Sequence, residues 1–247
     1  MSARVWVVTG GAAGLGLAVG RRAATQGERV VLVDRDEPAV QAAASAAASA
    51  GLDVVAVVTD VSREAEVEAC CASILGEHGR VDVLVNNAGL ALREGSVAAL
   101  TPKQWQLSIA VNLTSVYLMS HGLLPGMPRG SSIVNVGTAG TIRTVPGTDA
   151  YLAAKGGVVA LSKAMAVSLA DRAVRVNVVC PGIVLTDEVR RRRDDPRVQA
   201  MTRRSGDPLG RDHATPDEFA DVVWYLASDQ AGFLNGVVLP VDGGATT

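Results

Sequence analysis

Seven short valine-rich runs punctuate this chain, at residues 4–8, 29–33, 53–58, 81–85, 132–136, 175–179 and 237–241, with longer amphipathic stretches between them. Each run is bounded by Gly, Asn, Asp or Pro, so each reads as a strand. Strand–helix alternation along the whole chain implies an α/β fold: a parallel, doubly wound sheet with right-handed crossovers and helices on both faces. Apolar residues make up 48% of the 247 residues, yet aromatics only 3%. The core therefore has to be built from Val, Leu, Ile and Ala, which suits strands buried on both faces under Ala-rich helices.

Helix ends are marked in the sequence. Pro38 sits just inside the start of a helix predicted over residues 37–50, and Gly51 follows its end. Thr101-Pro102-Lys103-Gln104 and Thr215-Pro216-Asp217-Glu218 are capping boxes with proline at the first helical position. No linker, repeat or charged tail interrupts the pattern, so a single domain over residues 1–247 is expected. One polar, arginine-rich segment, residues 186–212, is too long for an ordinary connection and reads as a substrate lid.

A formal charge of −2 gives no reason to expect nucleic acid or an anionic membrane as a partner. The first apolar run, Val5-Trp6-Val7-Val8, is too short for a signal peptide, and no run approaches the roughly 20 residues of a membrane span. Three cysteines make no disulfide framework, and Cys70, Cys71 and His78 fit no zinc spacing, so no metal is expected. Buried thiols in a reducing compartment place the protein in the cytoplasm.

Thr9-Gly10-Gly11-Ala12-Ala13-Gly14-Leu15-Gly16 follows the first strand and opens the first helix. Glycines there let the backbone turn tightly and approach a pyrophosphate, while the helix N-terminus supplies free N–H groups. An acidic residue closing the second strand, Asp34, suits the hydroxyls of an adenosine ribose. It also disfavours a 2′-phosphate: two like charges about 4 Å apart repel by up to roughly 4 kcal/mol at an effective dielectric near 20. NAD is thus expected ahead of NADP, although Arg35 offers a guanidinium to such a phosphate.

Tyr151 and Lys155 stand four residues apart in a predicted helix running to about residue 170, so phenol and ammonium share a face. Free tyrosine titrates near 10, and a fixed cation beside it favours phenolate. Proton transfer at a substrate alcohol is the chemistry such a pair supports.

Together these features resemble the short-chain dehydrogenase/reductase family over nearly the whole chain. The segment from Thr9 through Gly16 matches its glycine motif, with Gly10, Gly14, Leu15 and Gly16 at the cofactor. Asp60-Val61 resembles the pair that contacts adenine, and Asn86-Asn87-Ala88-Gly89 closes the fourth strand as in that family. Asn112 matches the asparagine that holds a proton-relay water. Tyr151 and Lys155 match the catalytic pair, with Lys155 also binding ribose. Pro181-Gly182-Ile183 and Thr186 resemble the segment holding the nicotinamide carboxamide, and Val241-Asp242-Gly243-Gly244 the family's C-terminal end. The resemblance implies a Rossmann-type seven-stranded sheet and an NAD-dependent oxidoreductase interconverting a small secondary alcohol and a ketone. It also implies a homotetramer, packed through helices at residues 101–122 and 151–170.

One position departs from the family. A serine normally precedes the tyrosine by thirteen residues, and Thr138 stands there. Threonine keeps the hydroxyl but adds a methyl and a stiffer χ1, so a narrower site is expected. A cofactor-binding regulator or weakly active homologue is the alternative that this change suggests. A nucleotide-independent dehalogenase on the same scaffold would lack the glycine motif and carry arginine in place of Lys155. Arg143 and the lid arginines, Arg190 to Arg193, Arg197, Arg203 and Arg204, suit an anionic substrate. The favoured reading for them is a solvated loop whose charges pair with Asp194 and Asp195.

Overall fold

The computed structural model describes residues 3–91, 95–144, 146–191, 209, 211 and 213–247. Seven strands form one parallel sheet: β1 (Val5–Thr9), β2 (Arg29–Asp34), β3 (Val54–Val58), β4 (Val83–Asn86), β5 (Ser132–Val136), β6 (Arg175–Pro181) and β7 (Val238–Val241). Their order is β3-β2-β1-β4-β5-β6-β7, and every pairing is parallel. All seven valine-rich runs are strands. The central strands β1, β4 and β5 are buried throughout, whereas the edge strands β3 and β7 are partly open. Alternating side chains of one strand therefore feed two separate cores: Trp6 and Val8 point to one face, Val5 and Val7 to the other.

Helices cover both faces: α1 (Gly14–Ala24), α2 (Glu37–Ser49), α3 (Glu64–His78), α4 (Pro102–Ile109), α5 (Ser115–Leu123), α6 (Asp149–Ser168), α7 (Asp187–Arg191) and α8 (Pro216–Ala227). The sequence-marked caps are formed. Thr101 with Gln104, and Thr215 with Glu218, make reciprocal capping boxes. α8 is fixed on β1 by stacking of Trp224 on Trp6, with ring centroids 5.3 Å apart, and the guanidiniums of Arg4 and Arg22 lie over Trp224.

A π-helical turn, Ala110–Thr114, joins α4 to α5. Such turns are uncommon and gather at functional positions. Below it runs a buried polar ladder. Asn86 Nδ2 donates to Asn135 Oδ1 at 2.8 Å and to Ser120 Oγ at 3.2 Å, and Asn135 Nδ2 donates to Ser162 Oγ at 2.8 Å. The ladder ties α5, β4, β5 and α6 together in one register. In a dry interior such a network is stabilising only when satisfied, so it fixes the height of α6 against the sheet.

Two helical stretches, Pro102–Gly126 and Asp149–Ser168, are long and apolar enough to cross a membrane by length and composition. Both reach that apolarity as layers of this sheet: α5 packs on β4 and α6 on β6. Trp105, Leu107, Tyr117 and Val167, on the helices expected to meet partner copies, are exposed. Of the expected lid, residues 186–191, 209 and 211 are described. Arg192, Arg193, Arg197, Arg203 and Arg204, with Asp194 and Asp195, lie outside the described residues.

Candidate active site

The strand order reverses between β1 and β4, which opens a crevice beyond their C-terminal ends. The glycine turn fills the near side of that crevice. Gly10 and Gly14 have φ of +64° and +55°, a region that L side chains rarely adopt. A Cβ on Gly16 would stand 2.1 Å from the Gly10 carbonyl oxygen. The turn is therefore shaped as a bare-backbone cradle. Thr9 and Asn87 lock it to β4: the Thr9 hydroxyl accepts from the Asn87 and Ala88 amides, both at 3.0 Å, and Asn87 Nδ2 donates to the Thr9 and Gly10 carbonyls. α1 starts from Ala13 with no side-chain cap, so its first-turn N–H groups are left for an anion. Leu15 is half-buried against the core below.

Asp34, Arg35, Asp60, Val61, Ala88 and Gly89 line one pocket beside Gly10. Asp34 Oδ2 accepts from the Ala12 amide and Oδ1 from the Asp36 amide, each at 3.1 Å. A carboxylate has about four acceptor positions, so these bonds aim it without using it up. Asp60 is held below the usual carboxylate range. Burial raises it, but hydrogen bonds from the Ser62 hydroxyl and amide, with the charges of Arg35 and Arg63, outweigh burial. Arg35 thus lies in the field of Asp60.

The far wall of the crevice comes from β6. Pro181 ends the strand, Gly182 and Ile183 follow it, and a Cβ on Gly182 would press on Asp242 at 2.8 Å, so the C-terminal turn backs this segment. Thr186 reaches across to Gly14, where an added Cβ would meet its methyl at 3.4 Å. Cradle, Asp34 pocket and β6 wall lie at one edge of the sheet, and the uncapped helix start and the space the glycines leave fit a dinucleotide.

Tyr151 and Lys155 project from α6 toward the end of β5. Lys155 is 2% exposed, and its Nζ donates to the Val136 carbonyl at 2.7 Å, 5.9 Å from the Tyr151 ring centroid. Burial pushes its ammonium down to about 8. The Tyr151 phenol hydrogen-bonds the Thr138 side chain, yet burial pushes it up to about 12. The cation four residues on was expected to lower the phenol. Desolvation by the surrounding protein prevails, because the ammonium is committed to a backbone carbonyl.

Thr138 sits in extended conformation at the end of β5, and its Oγ1 accepts from the Gly140 amide at 3.2 Å. Asn112 occupies the π turn. Its Oδ1 accepts from the Leu90 amide at 2.9 Å, and its Nδ2 donates to the Leu90 and Ser108 carbonyls, each at 3.0 Å. Its side chain therefore ties the segment after Gly89 to the helix. A Cβ on Gly89 would approach both Asn112 Oδ1 and Lys155 Nζ.

Sequence reading missed Cys180. Its buried sulfur lies under Gly137, where a Cβ would approach it to 2.7 Å, and it engages the Thr138 amide and the Thr141 side chain. Burial raises the thiol, which stays neutral. Its place immediately before Pro181 was the available signal. Thr138 and Tyr151 form the base of a cavity of ≈ 420 Å³, with Ile142, Leu152 and Ile183 as apolar walls and Arg143 and Thr246 at its border. Among the described residues no His, Cys, Asp and Glu cluster suits a metal.

A family model described as enoyl-(acyl carrier protein) reductase matches residues 10–246. A 2-(S)-hydroxypropyl-CoM dehydrogenase of Xanthobacter autotrophicus is 37% identical over 98% of this chain and 96% of its own length. A D-threitol dehydrogenase of Mycolicibacterium smegmatis is 36% identical over 100% of this chain and 94% of its own. An actinorhodin polyketide ketoreductase variant solved with NADPH superimposes with a TM-score of 0.89 at 32% identity, covering 99% of this chain and 98% of that one. The chain belongs to the short-chain dehydrogenase/reductase family. It is an oxidoreductase by family, and the family uses nicotinamide cofactors.

The Lys155 environment gives a stability test independent of turnover. Between about pH 8 and 10.5 the unfolded chain holds more protons at Lys155 than the folded one, so this side chain makes stability rise with pH there. The stability of the wild type relative to Lys155→Met should therefore increase from pH 8 to pH 10 in thermal or denaturant unfolding. A pH-independent difference would show that Lys155 titrates normally.

Proposed function

We propose that this protein interconverts a secondary alcohol and a ketone with NAD(H), with Tyr151 as the acid/base. The hydrogen bond between the Thr138 hydroxyl and the Tyr151 phenol at the base of the cavity carries this reading. When bound, the nicotinamide supplies the two-electron partner: alcohol and NAD⁺ give ketone, NADH and a proton. Tyr151 Oη moves the proton at the substrate oxygen, and Thr138 Oγ1 holds that oxygen against the phenol. Lys155 binds ribose and supplies positive charge beneath the phenol, while Asn112 steadies the Leu90 segment and the relay behind Lys155. Three buried free thiols suit a reducing cytoplasm.

A phenol held near 12 is a proton donor at neutral pH, ready for ketone reduction. Alcohol oxidation needs the phenolate, so its kcat/KM should rise from about pH 6 to about pH 8, while reduction stays nearly level. Tyr151→Phe should lower both directions on the order of 10²- to 10⁴-fold, with NADH binding kept. Thr138→Ser should retain activity, and Thr138→Val should lose on the order of 10²-fold in kcat. Near-normal turnover by the phenylalanine variant, or oxidation indifferent to pH, contradicts the assignment.

Cofactor choice rests on Asp34. Asp34 lines the pocket beside Gly10, where we place the adenosine, and Arg35 lies in the field of Asp60, which competes with a 2′-phosphate for the guanidinium. NAD should exceed NADP in kcat/KM, and Asp34→Ala should narrow the ratio at least about tenfold. Equal use of both cofactors by the wild type would shift the assignment to Arg35.

A further inference from the structure

The cavity over Thr138 and Tyr151 is chemically lopsided. Arg143 is the single charged side chain in its described lining, which also includes Ile142, Leu152 and Ile183 beside Tyr151. Arg143 is exposed, and one hydrogen bond tethers its guanidinium: Nη1 donates to the Ala245 carbonyl at 2.9 Å, while its backbone amide donates to Ala139 O at 3.0 Å. One N–H is thereby used, and the fork has five.

Among the described residues no carboxylate pairs with Arg143, nor with Arg21, Arg35, Arg129, Arg172, Arg175 or Arg190, and of these Arg143 alone lines the cavity over Thr138 and Tyr151. Two acids among the described residues close to the cavity lining in sequence are engaged elsewhere. Asp242 accepts from Thr246 Oγ1 at 2.6 Å and from the Gly244 amide, and Asp149 accepts from the Val97 amide at 2.7 Å. An unneutralised, tethered guanidinium at the rim of a largely apolar cavity selects for a planar anion.

We propose that Arg143 is an anion subsite and that the substrate is a hydroxy or oxo acid, its carboxylate paired with Arg143 across an apolar spacer from the reacting carbon. The proposal rests on the reading of Thr138 and Tyr151 as the alcohol or ketone site, and it names the substrate class for that site.

The test uses 3-hydroxybutanoate, 4-hydroxypentanoate and 5-hydroxyhexanoate, each against its neutral amide. Binding to the cofactor-saturated protein is measured by calorimetry, beside turnover, for wild type, Arg143→Gln and Arg143→Lys, with NADH binding as the check on folding. One of the acids should bind more tightly than its amide by on the order of 10- to 100-fold. That preference should vanish in Arg143→Gln and return in part in Arg143→Lys. Equal binding of acid and amide by the wild type overturns the proposal, as does binding of neither, and neither result depends on any variant folding. A preference that survives in Arg143→Gln also overturns it. Charge preference without turnover keeps the anion subsite and sinks the alcohol–ketone reading, whereas turnover of acids and amides alike does the reverse.

Discussion

Parallel strands deliver all their C-terminal ends to one edge of the sheet, because each crossover must return through a helix on one face or the other. Here that constraint gathers the glycine turn after β1, Asp34 at the end of β2, Asn87 after β4, Thr138 after β5 and Pro181 at the end of β6 along a single rim. None of these residues is near another in sequence. Reversal of strand order at β1 and β4 then leaves the crevice in which the cradle lies. The site is thus a consequence of topology first and of side-chain chemistry second.

What holds the chemistry in place is the seating of α6. The ladder through Asn86, Asn135 and Ser162 sets the height of the helix, and Lys155 Nζ on the Val136 carbonyl ties its first turns to the end of β5. Taking an ammonium out of water is costly, and the fall of Lys155 to about 8 records that cost. Desolvation likewise lifts Tyr151 to about 12. Desolvation therefore pushes the two groups toward their neutral forms, and the Thr138 hydroxyl and Val136 carbonyl are the polar partners that restrain it. Cys180 supports this corner from below through the Thr138 amide.

Much of this was legible in the chain. All seven strands, both capping boxes and the residues of the crevice are local patterns: valine runs, T-P-x-[QE] boxes and glycine at positive φ. Long-range effects were not. The π turn at Asn112 interrupts a stretch whose amphipathic pattern reads as continuous helix, and it depends on contacts with the Leu90 segment. The contact of Cys180 with Thr138 crosses from β6 to β5, so only strand pairing reveals it. The direction of the Tyr151 shift is set by burial, which an i, i+4 spacing does not encode. Asp149, two residues before Tyr151, begins α6, an end-effect of the kind that helix patterns leave loose.

The proposed reaction passes a hydride directly between a substrate carbinol carbon and the nicotinamide, with Thr138 and Tyr151 at the substrate oxygen. It is tested most directly with a secondary alcohol deuterated at that carbon, incubated with the protein and oxidised NAD, and the reduced cofactor analysed by mass spectrometry. Direct transfer puts one deuterium on the nicotinamide ring of every NADH formed. NADH formed without the label, or label released to water, would contradict it.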